Sequence, residues 1–493
     1  MKFGRSCSLP VRAGALTLLV SGCATMPNLG TAPTMRAADS FAADRSLQGP
    51  TMAIAWPDGE WWRGYRDAQL DRLMAEALAG SPDLAAALAR LDEADGFRRQ
   101  TQALSRPRID AQVTAAETKQ SYDLGVPRQL VPQGWRDAGS ATLTGGVDLD
   151  LWGRNRANLR AAKLTALAAA LDAAQARLVV STGIGSAYVD LNRLFAERDV
   201  QAEAIAVRLD SQRLVARRVA NGLDSLAASK QADAALSAER VWLVQIDEAI
   251  DLTRHRIAAL MGEGPDRGLS IDRPGLSFAR RAVPRDVTTD LIGRRPDVAS
   301  ARARVEASGQ RIKAARAAFY PSLDLSALVG FESLGLGNLL RAGSTFGQVG
   351  PALSLPILHG GELSGRYRVA RANYDEAVAG YDGAVAGAFR DVADAVTSSE
   401  KLDDQLVHAR RSLAESSEAY ALARRRYEGG LASYLTVLIA QNAVLETRRT
   451  SVDLEARALA LDVALVRALG GGAVLPSLLV IGAGNHHEDP FHG

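Results

Sequence analysis

Arg218-Val219-Ala220-Asn221-Gly222-Leu223-Asp224-Ser225 returns 208 positions later as Arg426-Tyr427-Glu428-Gly429-Gly430-Leu431-Ala432-Ser433. In each copy a glycine interrupts a long helix-forming stretch, and glycine takes the left-handed backbone of a tight reversal at little cost. A second echo lies upstream. Ser81-Pro82-Asp83-Leu84 leads to Arg106-Pro107-Arg108-Ile109-Asp110, and Arg295-Pro296-Asp297-Val298 leads to Tyr320-Pro321-Ser322-Leu323-Asp324. Proline to proline is 25 residues both times. A duplication this long predicts two tandem copies of one structural unit.

Prolines outline that unit. There is none from Gln133 through Gly264 and none from Ile357 through Leu475, and both stretches are rich in Ala, Leu, Arg and Glu. Each reads as a helix of roughly 65 residues, a tight turn, then a helix of roughly 40, the longer arm about 100 Å at 1.5 Å per residue. Leu, Val and Ile recur at helical spacing, which favours helices packed as a coiled-coil wall over solitary solvated ones. Ala166, Ala168, Ala169 and Ala170, and then Ala384, Ala386, Gly387 and Ala388, permit close helix approach.

Ahead of each hairpin lie two segments with period-2 alternation: Ile109 to Ala116 and Ala141 to Leu151, then Leu323 to Phe331 and Thr345 to Leu355. Alternating segments of about ten residues joined by longer loops are the mark of membrane-barrel strands, and two surface hairpins are the alternative. Membrane barrels need about eight strands at least, so four per chain imply that several chains share one barrel.

Aromatics make up only 5% of the 493 residues, which favours long helices, and a net charge of +2 gives no sign of nucleic-acid binding. Lys2, Arg5 and Arg12 precede a short apolar run that ends in Val20-Ser21-Gly22-Cys23. The run reads as a secretory signal over residues 1–22, too short to span a bilayer, and its end resembles a bacterial lipobox. Cys23 is then the lipidated first residue of a mature chain with formal charge −1, and Ala24 favours delivery to the outer membrane. A plain signal peptide is the alternative. No other segment reads as a transmembrane helix, so strands would have to cross the membrane. The expected domain plan is an extended segment 23–64, a first repeat 65–264, a joint 265–284, a second repeat 285–475 and a disordered tail 476–493. The tail carries His486, His487 and His492, and no metal site is expected there.

These features together resemble the TolC/NodT family of outer-membrane efflux proteins, in particular its lipoprotein branch paired with resistance–nodulation–division pumps. The residues carrying the resemblance are the lipobox, Trp61-Trp62 with Asp67-Ala68-Gln69-Leu70-Asp71-Arg72-Leu73, and Gly293-Arg294-Arg295-Pro296-Asp297-Val298 followed by Ala318-Phe319-Tyr320-Pro321-Ser322-Leu323. Asp148-Leu149-Asp150-Leu151-Trp152-Gly153-Arg154 and the stretch from Arg426 to Leu435 complete the series. The resemblance implies a fold mainly α with a membrane β-barrel: a homotrimer sharing a 12-stranded barrel, four strands per subunit, continued by a helical tunnel. It implies a periplasmic adaptor protein docking on the turns Asn221, Gly222, Leu223 and Asp224 and Gly429, Gly430, Leu431, Ala432 and Ser433, and an inner-membrane pump as the energy source. Family members often narrow the tunnel with aspartates just beyond the turn. Here Thr436 and Ile439 stand at those positions, with Ala228 at the equivalent place in the first copy, so a hydroxyl-lined or hydrophobic constriction is expected instead. Tyr427 and Asp224 are candidates for the hydrogen bond that holds a closed end.

No catalytic constellation is present: no phosphate-binding glycine loop, no zinc spacing and no cysteine nucleophile in the mature chain. His255 and His408 read as surface or packing residues. No cofactor is expected beyond the lipid on Cys23. The leading reading is a passive outer-membrane duct of a tripartite efflux system for small molecules. A duct for type I protein secretion and a structural envelope-tethering lipoprotein are the alternatives.

Overall fold

The computed structural model describes residues 26–37, 40–42, 56–123, 125–277 and 293–473. The signal segment, Cys23, the end of the joint and the histidine tail lie outside the described residues. In chain order the elements are α1 (Ala68–Gly80), α2 (Pro82–Ala103), β1 (Arg108–Thr118), β2 (Arg136–Asp148), α3 (Arg154–Ala220), α4 (Leu226–Met261), α5 (Pro265–Leu269), α6 (Pro296–Ala317), β3 (Ser322–Leu334), β4 (Thr345–Ser354), α7 (Glu362–Glu428) and α8 (Tyr434–Ala468).

The duplicated turns fold alike for a local reason. Gly222 and Gly430 sit at φ 69° and 74°, in the left-handed region. Leu223 N–H donates to Arg218 O at 2.8 Å, and Leu431 N–H to Arg426 O at 2.7 Å. Each closes the carbonyls of the preceding helix in the same glycine-terminated motif. Ser225 then caps α4, its Oγ accepting from Ala228 N at 3.2 Å. The long helices α3 and α7 are 67 residues each, and α4 and α8 are 36 and 35, close to the expected lengths.

The described residues divide into two compact units, each drawing on both copies of the repeat: those up to Met35, with Asp92–Ala168 and Arg302–Gly380, form one, and the remaining described residues the other. The first holds a four-stranded antiparallel sheet in the order β1-β2-β3-β4. β2 begins ahead of the expected Ala141: Arg136–Ser140 is strand as well, because Thr114–Thr118 of β1 pair with it down to Thr118↔Arg136. The motif from Asp148 to Arg154 builds the turn from β2 into α3. Asp150, at φ 44°, accepts from Asn155 N and Arg156 N, while Asp148 accepts from Arg154 Nη2 and Asn155 Nδ2, both at 2.9 Å. Carboxylates there satisfy the free N–H groups of the helix start. Trp152 stacks on Tyr320 at 4.7 Å and donates its Nε1–H to Pro321 O at 2.8 Å. In the same unit Arg371 donates to Gly30 O and Thr31 O, which pins the N-terminal segment to α7.

The second unit is helical. Its core gathers Trp61, Trp62, Tyr65, Leu70, Leu73 and Met74 against Ile184, Tyr188, Leu191, Ile257 and Met261. Asp67 caps α1 through Gln69 N and Leu70 N and also accepts from Gly275 N and Tyr188 Oη, each at 2.8 Å. The Trp61-Trp62 and Asp67 motif is therefore core and cap. By length and composition α3 contains one window apolar enough to cross a bilayer. The same helix places Val180, Ile184, Ala187, Tyr188 and Leu191 in the core of this unit.

Candidate functional site

The register of the sheet assigns every strand residue to one of two faces, because directly paired residues point the same way. One face carries the rows Val147/Leu325/Pro351, Ile109/Gly145/Ala327/Val349, Ala111/Leu143/Val329/Gly347 and Val113/Ala141/Phe331/Thr345. Most of these side chains are exposed, Val113 at 76% and Val349 at 75%. The other face carries Asp148/Asp324/Ala352, Arg108/Gly146/Ser326/Gly350, Asp110/Thr144/Leu328/Gln348 and Gln112/Thr142/Gly330/Phe346. Farther along it Thr114 Oγ1 and Ser140 Oγ share a 2.6 Å hydrogen bond. This polar face borders an open cavity of about 970 Å³, lined among others by Arg108, Asp110, Asp148, Asp324 and Gln348. An apolar face opposite a polar one, in strands of 10 to 13 residues, is what a barrel with lipid outside and water inside requires. The edges of the sheet are β1 and β4. Pro351, which lacks an N–H, lies on β4, which has only one partner strand within the chain.

The helical turns form the second candidate surface. Leu223 and Leu431 are 63% and 74% exposed, followed by Leu226 and Leu435 on the next turn of each hairpin. Behind them Val215, Ala228, Ala232, Tyr427, Tyr434 and Val437 make a small core. Tyr427 donates its hydroxyl to Asp224 Oδ2 at 2.5 Å. Arg218 lies over the Tyr427 ring at 4.8 Å and donates to Glu428 O at 3.2 Å. Burial raises the Tyr427 phenol well above its ordinary pKa, and the Asp224 carboxylate raises it further, so the proton stays on the donor. The residues expected at a constriction separate here. Ala228 and Tyr427 are buried in the core behind the turns, whereas Thr436 and Ile439 are exposed on the first turns of α8.

Sequence reasoning missed a carboxyl cluster farther up the hairpin. Arg193 donates to Asp190 Oδ1 at 2.8 Å and to Glu197, and lies 3.7 Å from Asp453. Burial, and then the hydrogen bond shared with Asp453, push the Glu197 carboxyl up to about 7, against the pull of Arg193. A carboxyl raised in the folded state binds its proton more tightly there than in the unfolded chain. Stability therefore falls as pH rises from the ordinary carboxylate range to about 7, by at most about 3 kcal/mol, and is flat above it. Urea midpoints between pH 5 and 8 should show this decline in the parent and lose it in Glu197→Gln. An unchanged slope in that variant would assign the decline to another group.

His255 is half-buried and His408 exposed, both on helices. Among the described residues no three His, Cys, Asp or Glu side chains are grouped to hold a metal.

The model of the outer membrane efflux protein family matches this chain twice, over residues 73–263 and 287–471. The fusaric acid resistance protein FusA of Burkholderia cepacia is 34% identical over 73% of this chain and 68% of its own length. The multidrug resistance outer membrane protein MdtP of Escherichia coli K12 is 29% identical over 92% of this chain and 94% of its own. Among solved structures, the outer membrane protein VceC of Vibrio cholerae is 40% identical, with a TM-score of 0.82 over 85% of this chain and 100% of VceC. MdtP and VceC are outer-membrane proteins, and with the family model matching both halves of the repeat, the chain belongs to the outer membrane efflux protein family.

Proposed function

We propose that this outer-membrane efflux channel is the exit duct of a tripartite system. Three copies close one 12-stranded barrel, and an inner-membrane pump of the resistance–nodulation–division type drives solutes into it through a periplasmic adaptor. The observation that carries this reading is the two-faced sheet. Its apolar rows suit lipid, its polar rows suit a water-filled lumen, and a four-stranded sheet with open edges leaves backbone groups that lipid cannot satisfy. Pairing β1 of one copy with β4 of the next removes both edges. The relatives named for multidrug and fusaric acid resistance support small toxic organic compounds as the cargo. Cleavage after residue 22 and acylation of Cys23 would add a lipid anchor, and no other cofactor is needed for a passive duct.

The exposed leucines of the two turns are the proposed adaptor contacts. Leu223→Asp combined with Leu431→Asp should abolish drug resistance in cells while leaving a heat-resistant oligomer that conducts ions in planar bilayers. Crosslinking from cysteines at Asp224 and Ala432, in a Cys7→Ser background, should trap the adaptor in the parent and fail in the leucine variant. Full resistance in the leucine variant would move the docking surface elsewhere. A monomer that conducts nothing would favour the structural-lipoprotein reading.

A further inference from the structure

The two hairpins are copies offset by 208 residues, so their helix contacts can be compared position by position. Arg208 on α3 faces Glu239 on α4, and the equivalent residues on α7 and α8 are Ser416 and Thr447. The two hydroxyls share a hydrogen bond of 2.9 Å. Arg208 Nη2 and Nε instead lie 3.1 and 3.3 Å from Glu239 Oε1, with side chains only 3% and 8% exposed. The same helix contact is neutral in one copy and ionic in the other.

The ionic version reaches a third helix. Glu239 Oε2 accepts from Gln201 Nε2 at 2.8 Å and from Arg449 Nη2 at 2.9 Å. Arg208 donates to Gln441 Oε1 and Asn442 Oδ1, and Gln441 Nε2 donates to Ser211 Oγ at 3.4 Å. Gln441, Asn442 and Arg449 belong to α8. The knot therefore joins one helix of the second hairpin to both helices of the first, and α7 supplies none of these groups. A buried ion pair adds little net stability, because desolvation offsets its attraction, but it resists sliding, since a shifted register would strand a charge without a partner. Nearer the turns α7 is held by lighter contacts, the Tyr427–Asp224 hydrogen bond and Arg218 on Glu428 O. From Arg208 to Asn221 is 13 residues of α3 and turn, about 20 Å of helix.

We propose that the Arg208–Glu239–Arg449 knot is the pivot of the hairpin ends. Above it α3, α4 and α8 move as one body, and only the stretch between the knot and the turns bends when the channel end opens. This rests on the channel reading above. Arg208 and Glu239 are positioning residues, acting through the helices they hold.

The test is the single-channel conductance of the purified full-length oligomer in planar bilayers, read for four proteins. These are the parent, Tyr427→Phe, the pair Arg208→Ser with Glu239→Thr, and the three substitutions combined. The neutral pair copies what the chain already carries at Ser416 and Thr447. Tyr427→Phe should raise conductance, and the neutral pair alone should leave it at the parent level. The combination should exceed Tyr427→Phe by at least about twofold, because bending then extends past the lost pivot. Equal conductance in the combination and Tyr427→Phe would overturn the proposal. So would a neutral pair that opens as widely as Tyr427→Phe, which would make the knot a second latch. If the neutral pair does not assemble, Arg208→Lys keeps the charge but cannot bridge three acceptors, and it is read against Tyr427→Phe by the same criterion. Silence from both the parent and Tyr427→Phe would remove the channel reading itself.

Discussion

Arginine in place of Val329 is expected to cost about 2–4 kcal/mol per copy, the penalty for a cation at mid-depth on the lipid side of a barrel. Val329 is 60% exposed and shares its row with Leu143 and Gly347. Its neighbour Leu328 points the other way, in line with Thr144 and Gln348. Leu328→Arg should therefore cost less than about 1 kcal/mol, since the guanidinium would meet water and the lumen acids. The check is urea-induced unfolding from lipid vesicles, with the share of heat-resistant oligomer as a second readout. In the proposed shared barrel the penalty multiplies over the copies, so Val329→Arg should leave little assembled protein. Equal costs for the two substitutions would refute the face assignment, and with it the argument for a membrane barrel.

Trp61→Ala is expected to destabilise the helical unit by about 3–5 kcal/mol, the range for deleting a large aromatic from a packed core. Trp61 is 3% exposed and meets Trp62 and Tyr65 edge-on, at 5.9 and 6.0 Å between ring centroids. Its ring also fills the space over Gly185, where a Cβ would come within 2.6 Å of it. Glycine at 185 is thus the complement of tryptophan at 61, and the cavity left by alanine has no neighbouring side chain to collapse into it from that side. Guanidinium unfolding followed by helical circular dichroism measures the loss. A change below about 1 kcal/mol would mean that Trp61 serves a contact with another copy or protein rather than this core.

These two sites differ in how far they could be read in advance. The strand rows were legible because alternation is a local property: the backbone pleat sends successive side chains to opposite faces whatever the partner strand is. Arg136–Ser140 escaped that reading, because its polar residues become strand only when β1 pairs with them. Trp61-Trp62 was visible as a motif but not as a core, since its partners Tyr188 and Ile257 lie more than a hundred residues away. Tyr427 shows both sides at once. Its hydrogen bond to Asp224 was foreseen, whereas its burial behind the turn depends on Tyr434, Val437 and Val215 closing round it.

By itself the sequence determined the tandem repeat, the two hairpins, their glycine turns and the two-faced strands. Each of these follows from backbone preferences and side-chain periods set within a few residues. Tertiary structure alone decided which polar groups meet inside. Arg208 and Glu239 are 31 positions apart and Arg208 and Gln441 233 apart, and no helical period says which charge of one helix will face which acceptor of another. That choice is made when three helices pack, because only then does water leave and each buried charge need a partner.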